Sequence, residues 1–286
     1  MTTDTLTLLC VHAHPDDETL GTGGTYARYA AEGLHTALVC ATRGEEGEIH
    51  DPSVALPPDG DIATLREQEL RCAATILGIR TLRFLGYRDS GMPGAPANQH
   101  PAAFAQADLA EAARRLALLI REIRPHVLVT YDAHGIYRHP DHLMCHRVTT
   151  AAFDLAGDPA WPTPGLDPWQ PRKLYYIAIP RSWVQTMRRL AAEHGLRLPN
   201  IFRTGRPPED LATPDDQITT WLDVEPYLEQ KRQALLCHRS QIAPNHPLRA
   251  LPLAALRDLY RYEAFIRARS LVPAPEREED LFAGLR

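Results

Sequence analysis

The sequence predicts an α/β fold: a Rossmann-like, mostly parallel sheet with helices on both faces and a C-terminal extension. Two observations carry this. Short, continuous apolar runs alternate with longer stretches of helical periodicity, the βαβα pattern of a doubly covered parallel sheet. Stop signals punctuate it where a helix should end: Gly33, Gly78 and Pro125.

The elements follow in order. Residues 5–11 read as a buried strand and 23–32 as a helix closed by Gly33. A second strand spans 36–40. Asp61 is a capping residue for a helix that runs to Leu77 and stops at Gly78. A third strand covers 81–85. Residues 106–123 are strongly helical, and Pro125 ends them. A fourth strand spans 127–131, followed by a helix over 139–153. Five prolines between 158 and 171 mark a loop or seam. A fifth strand covers 173–179. Beyond Leu198 the chain is less regular, with connections around Pro207 and Pro214. Two helices are expected late, over about 225–237 and 253–269. The 286 residues thus read as a single catalytic domain, with a core over about 5–180 and an extension over about 181–286 that shapes the site.

The net charge of −5 and the lack of a basic block exclude a nucleic-acid partner or an anionic membrane surface. Only two lysines occur, Lys173 and Lys231. The five cysteines (Cys10, Cys40, Cys72, Cys145 and Cys237) are scattered and form no C-x-x-C, the pattern of reduced, buried thiols. The first residues show no signal-peptide pattern, and no apolar run reaches the ~20 residues of a membrane span. The expectation is a cytoplasmic protein without membrane partners.

Two short runs concentrate the chemistry. His14-Pro15-Asp16-Asp17 follows the first strand, and His139-Pro140-Asp141-His142 follows the fourth. In open parallel sheets ligands bind beyond the carboxyl ends of the strands, so the two runs can meet there. If the chain turns helically after Pro15, His14 and Asp17 face one point, and His142 adds a second imidazole. Two imidazoles and one carboxylate with an open position describe a catalytic metal site. Asp16, beside the ion but not bound to it, is the general base for a water molecule. His139 stabilises an oxyanion or protonates a leaving amine, Asp141 orients it, and Tyr137 adds a hydrogen bond. This constellation fits metal-assisted hydrolysis of an amide.

Other readings stand beside it. His142 and His146, four residues apart, form a rival ligand pair. His12 packs or hydrogen-bonds at the strand end, His134 is a loop residue, and Cys145 belongs to a helix core. Gly21, Gly23 and Gly24 lack the G-x-G-x-x-G spacing of a dinucleotide turn and serve close helix–sheet packing instead. The two-histidine, one-carboxylate set also describes non-haem Fe(II) oxygenases, and a catalytically silent metal-binding protein is a third class.

The runs resemble the two signatures of the LmbE-like (PIG-L) zinc deacetylases: His14-Pro15-Asp16-Asp17-Glu18 with Gly23-Gly24-Thr25, and His139-Pro140-Asp141-His142. That family includes N-acetylglucosaminyl-phosphatidylinositol de-N-acetylases and the deacetylases of mycothiol and bacillithiol synthesis. Further similarity lies in Thr42-Arg43-Gly44-Glu45, in Arg66 and Glu69, and in Leu85 to Met92, which is close to the mycothiol branch. Lys231, His238, Ser240 and Gln241 match a C-terminal pattern, so the resemblance covers about Leu6 to Gln241. It implies Zn2+ (or Fe2+) on His14, Asp17 and His142, with Asp16 as base and His139, oriented by Asp141, as its partner. Tyr137 falls where the family has a mobile tyrosine, and Arg66 and Asp89 where it holds the sugar conjugate. The implied substrate is an acetylated glucosaminide, a small molecule. Leu20 stands where conjugate amidases carry a basic residue, which favours deacetylation over cleavage of a bulky thiol-sugar conjugate. The oligomeric state is not legible.

Overall fold

The computed structural model describes residues 5–56, 58, 60–196 and 211–286. The segment around Pro207 and the first four residues lie outside the described residues. Strands β1 (Thr7–His12), β2 (His35–Cys40), β3 (Thr81–Phe84), β4 (Val127–Tyr131) and β5 (Lys173–Ala178) pair in parallel in the order β3-β2-β1-β4-β5. Two further strands, β6 (Thr220–Asp223) and β7 (Tyr262–Ser270), extend the sheet antiparallel beyond β5, in the order β5-β7-β6. The strand order reverses between β1 and β4, so a crevice opens at the carboxyl ends of those two strands.

Alternation along β1 explains the two cores. Leu8 and Cys10 face one side of the sheet, Leu9 and Val11 the other, and all four are fully buried. Helices α1 (Asp17–Ala31) and α2 (Ile62–Leu77) contribute Tyr26, Tyr29, Leu70 and Leu77 to the first side. Helices α3 (Leu109–Ile123) and α5 (Pro140–Gly157) contribute Leu116, Ile120, Cys145 and Val148 to the second. A one-turn segment, α4 (Gly135–Arg138), precedes α5. The expected cap holds: Asp61 accepts the Thr64 N–H at 2.7 Å, and Gly78 ends α2 in the left-handed region.

The C-terminal part adds α6 (Arg181–Glu193), α7 (Leu228–Leu235), α8 (Pro247–Ala250) and α9 (Leu253–Tyr260) around a separate apolar cluster that includes Met187, Leu235, Leu248 and Leu256. Here the structure corrects one expectation. The helix expected over 253–269 stops at Tyr260, and residues 262–270 form β7, hydrogen-bonded on both edges. Phe265 and Ile266 of that stretch pair with Ile177 and Tyr176 of β5, and tertiary pairing overrides its local helical character. The helix expected from 23 begins at Asp17, because Asp17 and Glu18 form its first turn.

A further correction concerns the thiols. Cys72 on α2 and Cys237 just after α7, 165 positions apart in the chain, form a disulfide with Cα atoms 5.8 Å apart. Cys10, Cys40 and Cys145 are free and buried, and burial pushes the Cys10 thiol up to about 12. Among the described residues no helix is long and apolar enough to cross a membrane.

The α1 glycines let neighbours approach closely. A Cβ on Gly21 would meet Ile177 of β5 at 3.2 Å, and one on Gly24 would meet Val224 Cβ at 2.5 Å. Beside them the buried pair Lys231–Glu263 (2.7 Å) serves the α1 backbone. Lys231 Nζ donates to the Leu20 carbonyl, and the Glu263 carboxylate accepts the Gly24 and Thr25 N–H groups. In an exposed helix Gly→Ala stabilises by about 0.8–1.0 kcal/mol. Gly24→Ala should instead destabilise by about 1–3 kcal/mol through overpacking against Val224. Urea unfolding measures this, and a gain in stability would remove Gly24 from that role.

Candidate active site

Both runs are built the same way: a strand ends, a histidine follows, a proline turns the chain, and a helix starts. His14 lies just past β1, and α1 begins at Asp17. His139 caps α5, Pro140 takes its first position, and Asp141 and His142 fill the first turn. The crevice between β1 and β4 brings the two helix starts together, so residues far apart in the chain share one site.

The imidazoles of His14, His139 and His142 converge: one nitrogen from each lies within 4.8 Å of the others. Asp17 Oδ2 stands 3.3 Å from His14 Nδ1 and 3.5 Å from His142 Nε2. Ligand atoms held about 2.0–2.2 Å from one tetrahedral ion are about 3.3–3.6 Å apart, so this spacing suits a shared ion. Both ring nitrogens of His142 are buried and have no hydrogen-bond partner among the described residues. Orphaned donors and acceptors of this kind are rare in folded proteins, and a ligated ion accounts for Nε2. His14 keeps its other nitrogen, Nε2, on carboxylates: Asp141 Oδ2 at 3.1 Å and Asp89 Oδ1 at 3.3 Å. That is the carboxylate–histidine support common behind metal ligands. The donor chemistry suits a divalent cation held by the His14 and His142 imidazoles with Asp17 beside them; His139, and with His14 also Asp89 and Asp141, place further ligand atoms within 4.8 Å of one another.

The electrostatics follow from crowding. Burial opposes a charged His14, but Asp89, Asp141 and Asp17 outweigh it and hold its pKa well above the usual imidazole range. Asp17 is also buried, yet His142 and His14 hold its carboxyl well below the usual range. Burial pushes the Asp16 carboxyl up to about 7, against the pull of Arg66. Burial, then the neighbouring His14 and His142, takes His139 down to about 2, so its ring is neutral. His139 Nδ1 accepts the Asp141 N–H at 3.2 Å, which leaves the ring proton on Nε2 as a donor.

Several expected residues take different places. The Asp141 carboxylate turns to His14 and to Ser90, whose N–H donates to it at 2.9 Å and whose hydroxyl binds its other oxygen. Asp141 therefore orients His139 through its backbone alone. Arg66 is 4% exposed and lies behind Asp16: it donates to the Gly44 and Pro15 carbonyls and to Asp16 Oδ2 at 3.3 Å. Asp89, also 4% exposed, supports His14 and accepts N–H groups of Glu46 and Gly91. Neither lines the cavity described below. Tyr137 does, with its ring edge-on to those of His142 and His139 (4.9 and 5.9 Å between centroids). It rides on a strained turn, since Ile136 and Arg138 both have positive φ. His146 Nδ1 lies 3.0 Å from the Tyr131 carbonyl, away from the cluster, and His12 hydrogen-bonds Thr22.

Sequence reasoning missed Tyr131. Its hydroxyl donates to Asp17 Oδ2 at 2.7 Å and accepts the Ala13 N–H, and its ring stacks on His142 at 4.0 Å. The only signal is its position as the last residue of β4, at the carboxyl end where ligands bind.

A cavity of about 960 Å³ opens over Asp16, Asp17, Tyr137 and His142. Much of its remaining wall is apolar: Ile177 and Ile179 at the end of β5, Trp183 of α6, and Tyr260, Tyr262 and Ala264 around the start of β7. His50, Gln241 and Asn245 add polar groups.

Residues 9–153 match the model of the family described as PIG-L, GlcNAc-PI de-N-acetylase. A 1D-myo-inositol 2-acetamido-2-deoxy-alpha-D-glucopyranoside deacetylase of Thermobifida fusca (strain YX) is 47% identical, over 96% of this chain and 98% of its own. A protein of the same name from Thermobispora bispora is 43% identical, over 97% of this chain and 98% of its own. Among solved structures, a conserved protein of Thermus thermophilus superposes with a TM-score of 0.59 at 26% identity, covering 95% of this chain and 98% of that one.

Proposed function

The chain belongs to the PIG-L family of GlcNAc-PI de-N-acetylases, and from that premise we propose that it removes the N-acetyl group of an N-acetylglucosamine-containing small molecule with the help of a zinc ion. The preferred substrate is the glucosaminide of inositol, the compound in the names of the relatives described above. The observation that carries the reading is Asp17 Oδ2 set 3.3 Å from His14 Nδ1 and 3.5 Å from His142 Nε2, spacings that one ion can share, with an acid, Asp16, left out of the set.

A zinc ion held there supplies Lewis acidity, polarising a carbonyl and lowering the pKa of a water molecule from ~15.7 towards ~7. The chain's own residues do the rest. Asp16, at the cavity wall, takes the water proton as the water oxygen bonds to the acetyl carbon. The neutral His139, just behind the cavity lining with its ring centroid 5.2 Å from that of His142, is placed to donate from Nε2 to the oxyanion that develops, and Tyr137 of the cavity wall to add a second donor. Asp16 then returns the proton to the nitrogen as the C–N bond breaks, giving acetate and a free amine. Arg66 and Asp89 act from behind the site, on Asp16 and His14.

A second reading is an amidase acting on thiol-sugar conjugates, and the apolar wall formed by Ile177, Trp183 and Tyr260 favours it. An acetyl group and two polyols leave that wall uncovered, whereas a thioether substituent would bury it. The test is free-amine release from a panel of N-acetylglucosaminides, including inositol and malate conjugates and an S-alkylated cysteinyl glucosaminide, with and without chelator. Chelator-sensitive release from the inositol compound is the expected result. Faster release from the S-alkylated member would put the amidase first, and release that no chelator touches would remove the metal from the mechanism.

A further inference from the structure

Asp16 sits at φ 120° and ψ −29°, a backbone conformation that costs a non-glycine residue of order 1–3 kcal/mol and persists only where its surroundings impose it. The residue is the N-cap of α1, yet its carboxylate caps nothing and is left for the cavity. Its N–H donates to Glu18 Oε2 at 2.9 Å, and its carbonyl accepts the Thr19 and Leu20 N–H groups. The Glu18 carboxylate, fully buried, is therefore the group that fixes the Asp16 amide.

Glu18 Oε1 is held by the neighbouring Thr19 hydroxyl and by a residue 220 positions away. His238 Nε2 lies 2.7 Å from Glu18 Oε1, and His238 is itself fully buried. Its other nitrogen, Nδ1, has no hydrogen-bond partner among the described residues, so this one bond orients the ring. The turn that carries His238 is pinned twice to α2. The Ser240 N–H and hydroxyl donate to Glu69 at 2.8 and 2.6 Å, and Cys237 is joined to Cys72. The same helix supplies Arg66, which holds Asp16 Oδ2 and the Pro15 carbonyl. One helix thus braces Asp16 from two sides, directly through Arg66 and indirectly through the 237–240 turn.

We propose that His238 is a positioning residue for Asp16: through Glu18 it imposes the backbone that aims the Asp16 carboxylate into the cavity. It touches neither substrate nor ion, since it does not line the cavity. The inference rests on the deacetylase reading for its kinetic consequence, though not for its structural one.

The test compares His238→Ala with His238→Gln, whose amide nitrogen takes the place of Nε2. His238→Ala should lower kcat by about 10–100-fold, the usual effect of losing an outer-shell partner, with KM and metal content unchanged. His238→Gln should recover most of it. In crystal structures Asp16 should relax to negative φ in the Ala variant and keep its positive φ in the Gln variant. If the Ala variant does not fold, His238→Asn, too short to reach Glu18, replaces it. Parental kcat in His238→Ala, a loss of kcat with metal, or a Gln variant as impaired as Ala would each overturn the proposal. If the parent enzyme itself releases no amine from any glucosaminide, the functional reading fails. The φ of Asp16 in the variant structures then still decides the positioning role.

Discussion

Asp16→Asn should lower kcat by about 10²- to 10⁴-fold, the range that a positioned general base contributes, while the protein keeps its metal and its fold. The asparagine preserves the shape of the side chain and an oxygen for Arg66, and with aspartate it tolerates positive φ better than most residues that carry a side chain. Only the ability to take a proton is lost. Asp16→Ala should be at least as inactive, because alanine leaves Arg66 Nη2 without that partner and suits φ 120° poorly. Metal per chain after dialysis separates this role from ligation: Asp16 is not among the atoms spaced for an ion, so both variants should bind as the parent does. Turnover near the parental rate would remove Asp16 as base and move the role to another cavity group, with His50 the next to test. Loss of metal along with activity would make Asp16 a ligand.

What the sequence revealed and what it hid divide along one physical line. Strand and helix signals are local, so β4 is found at its observed bounds and the Asp61 cap and Gly78 stop are read correctly. The two acid-histidine runs are legible because a strand end, a proline and a helix start occupy a few consecutive residues. The rest of the site depends on contacts between distant positions. Asp141 carries its carboxylate to His14, 127 residues away, rather than to its near neighbour His139, because the α5 start faces the β1 end across the crevice. Arg66 looks like a residue for sugar binding until α2 is placed, when its guanidinium proves to be enclosed by the Gly44 and Pro15 carbonyls. The Cys72–Cys237 disulfide and the Glu18–His238 bond follow the same rule. Residues 262–270 were hidden differently. Their Ala and Arg content suits a helix, and only the open edge of β5 makes them a strand.

His142→Ala should lower metal affinity by more than the roughly 10–100-fold that an outer-shell partner carries, and this is the sharpest test of the ligand set. The argument turns on the imidazole's partners. A buried histidine kept for packing satisfies its nitrogens with protein groups, yet among the described residues neither nitrogen of His142 has a hydrogen-bond partner, Nε2 only facing Asp17 Oδ2 at 3.5 Å, although the residue is 1% exposed and stacked on Tyr131. Without an ion such a ring is a cost to the fold; with one, Nε2 has its partner. Metal should therefore stabilise the parent by RT ln(1 + [M]/Kd), about 2.7 kcal/mol at a hundredfold excess over Kd. The same metal concentration should do far less for His142→Ala. Thermal unfolding with and without added zinc measures this gain without reference to any substrate, and metal analysis after dialysis measures the stoichiometry. The metal-free variant should lose little against metal-free parent, because the cavity it creates is offset by the removal of two unsatisfied polar atoms. A variant that binds zinc as the parent does, with the same thermal gain, would shift ligation to His14 and His139, the other imidazoles of the cluster. His139 would then no longer be free to stabilise the oxyanion.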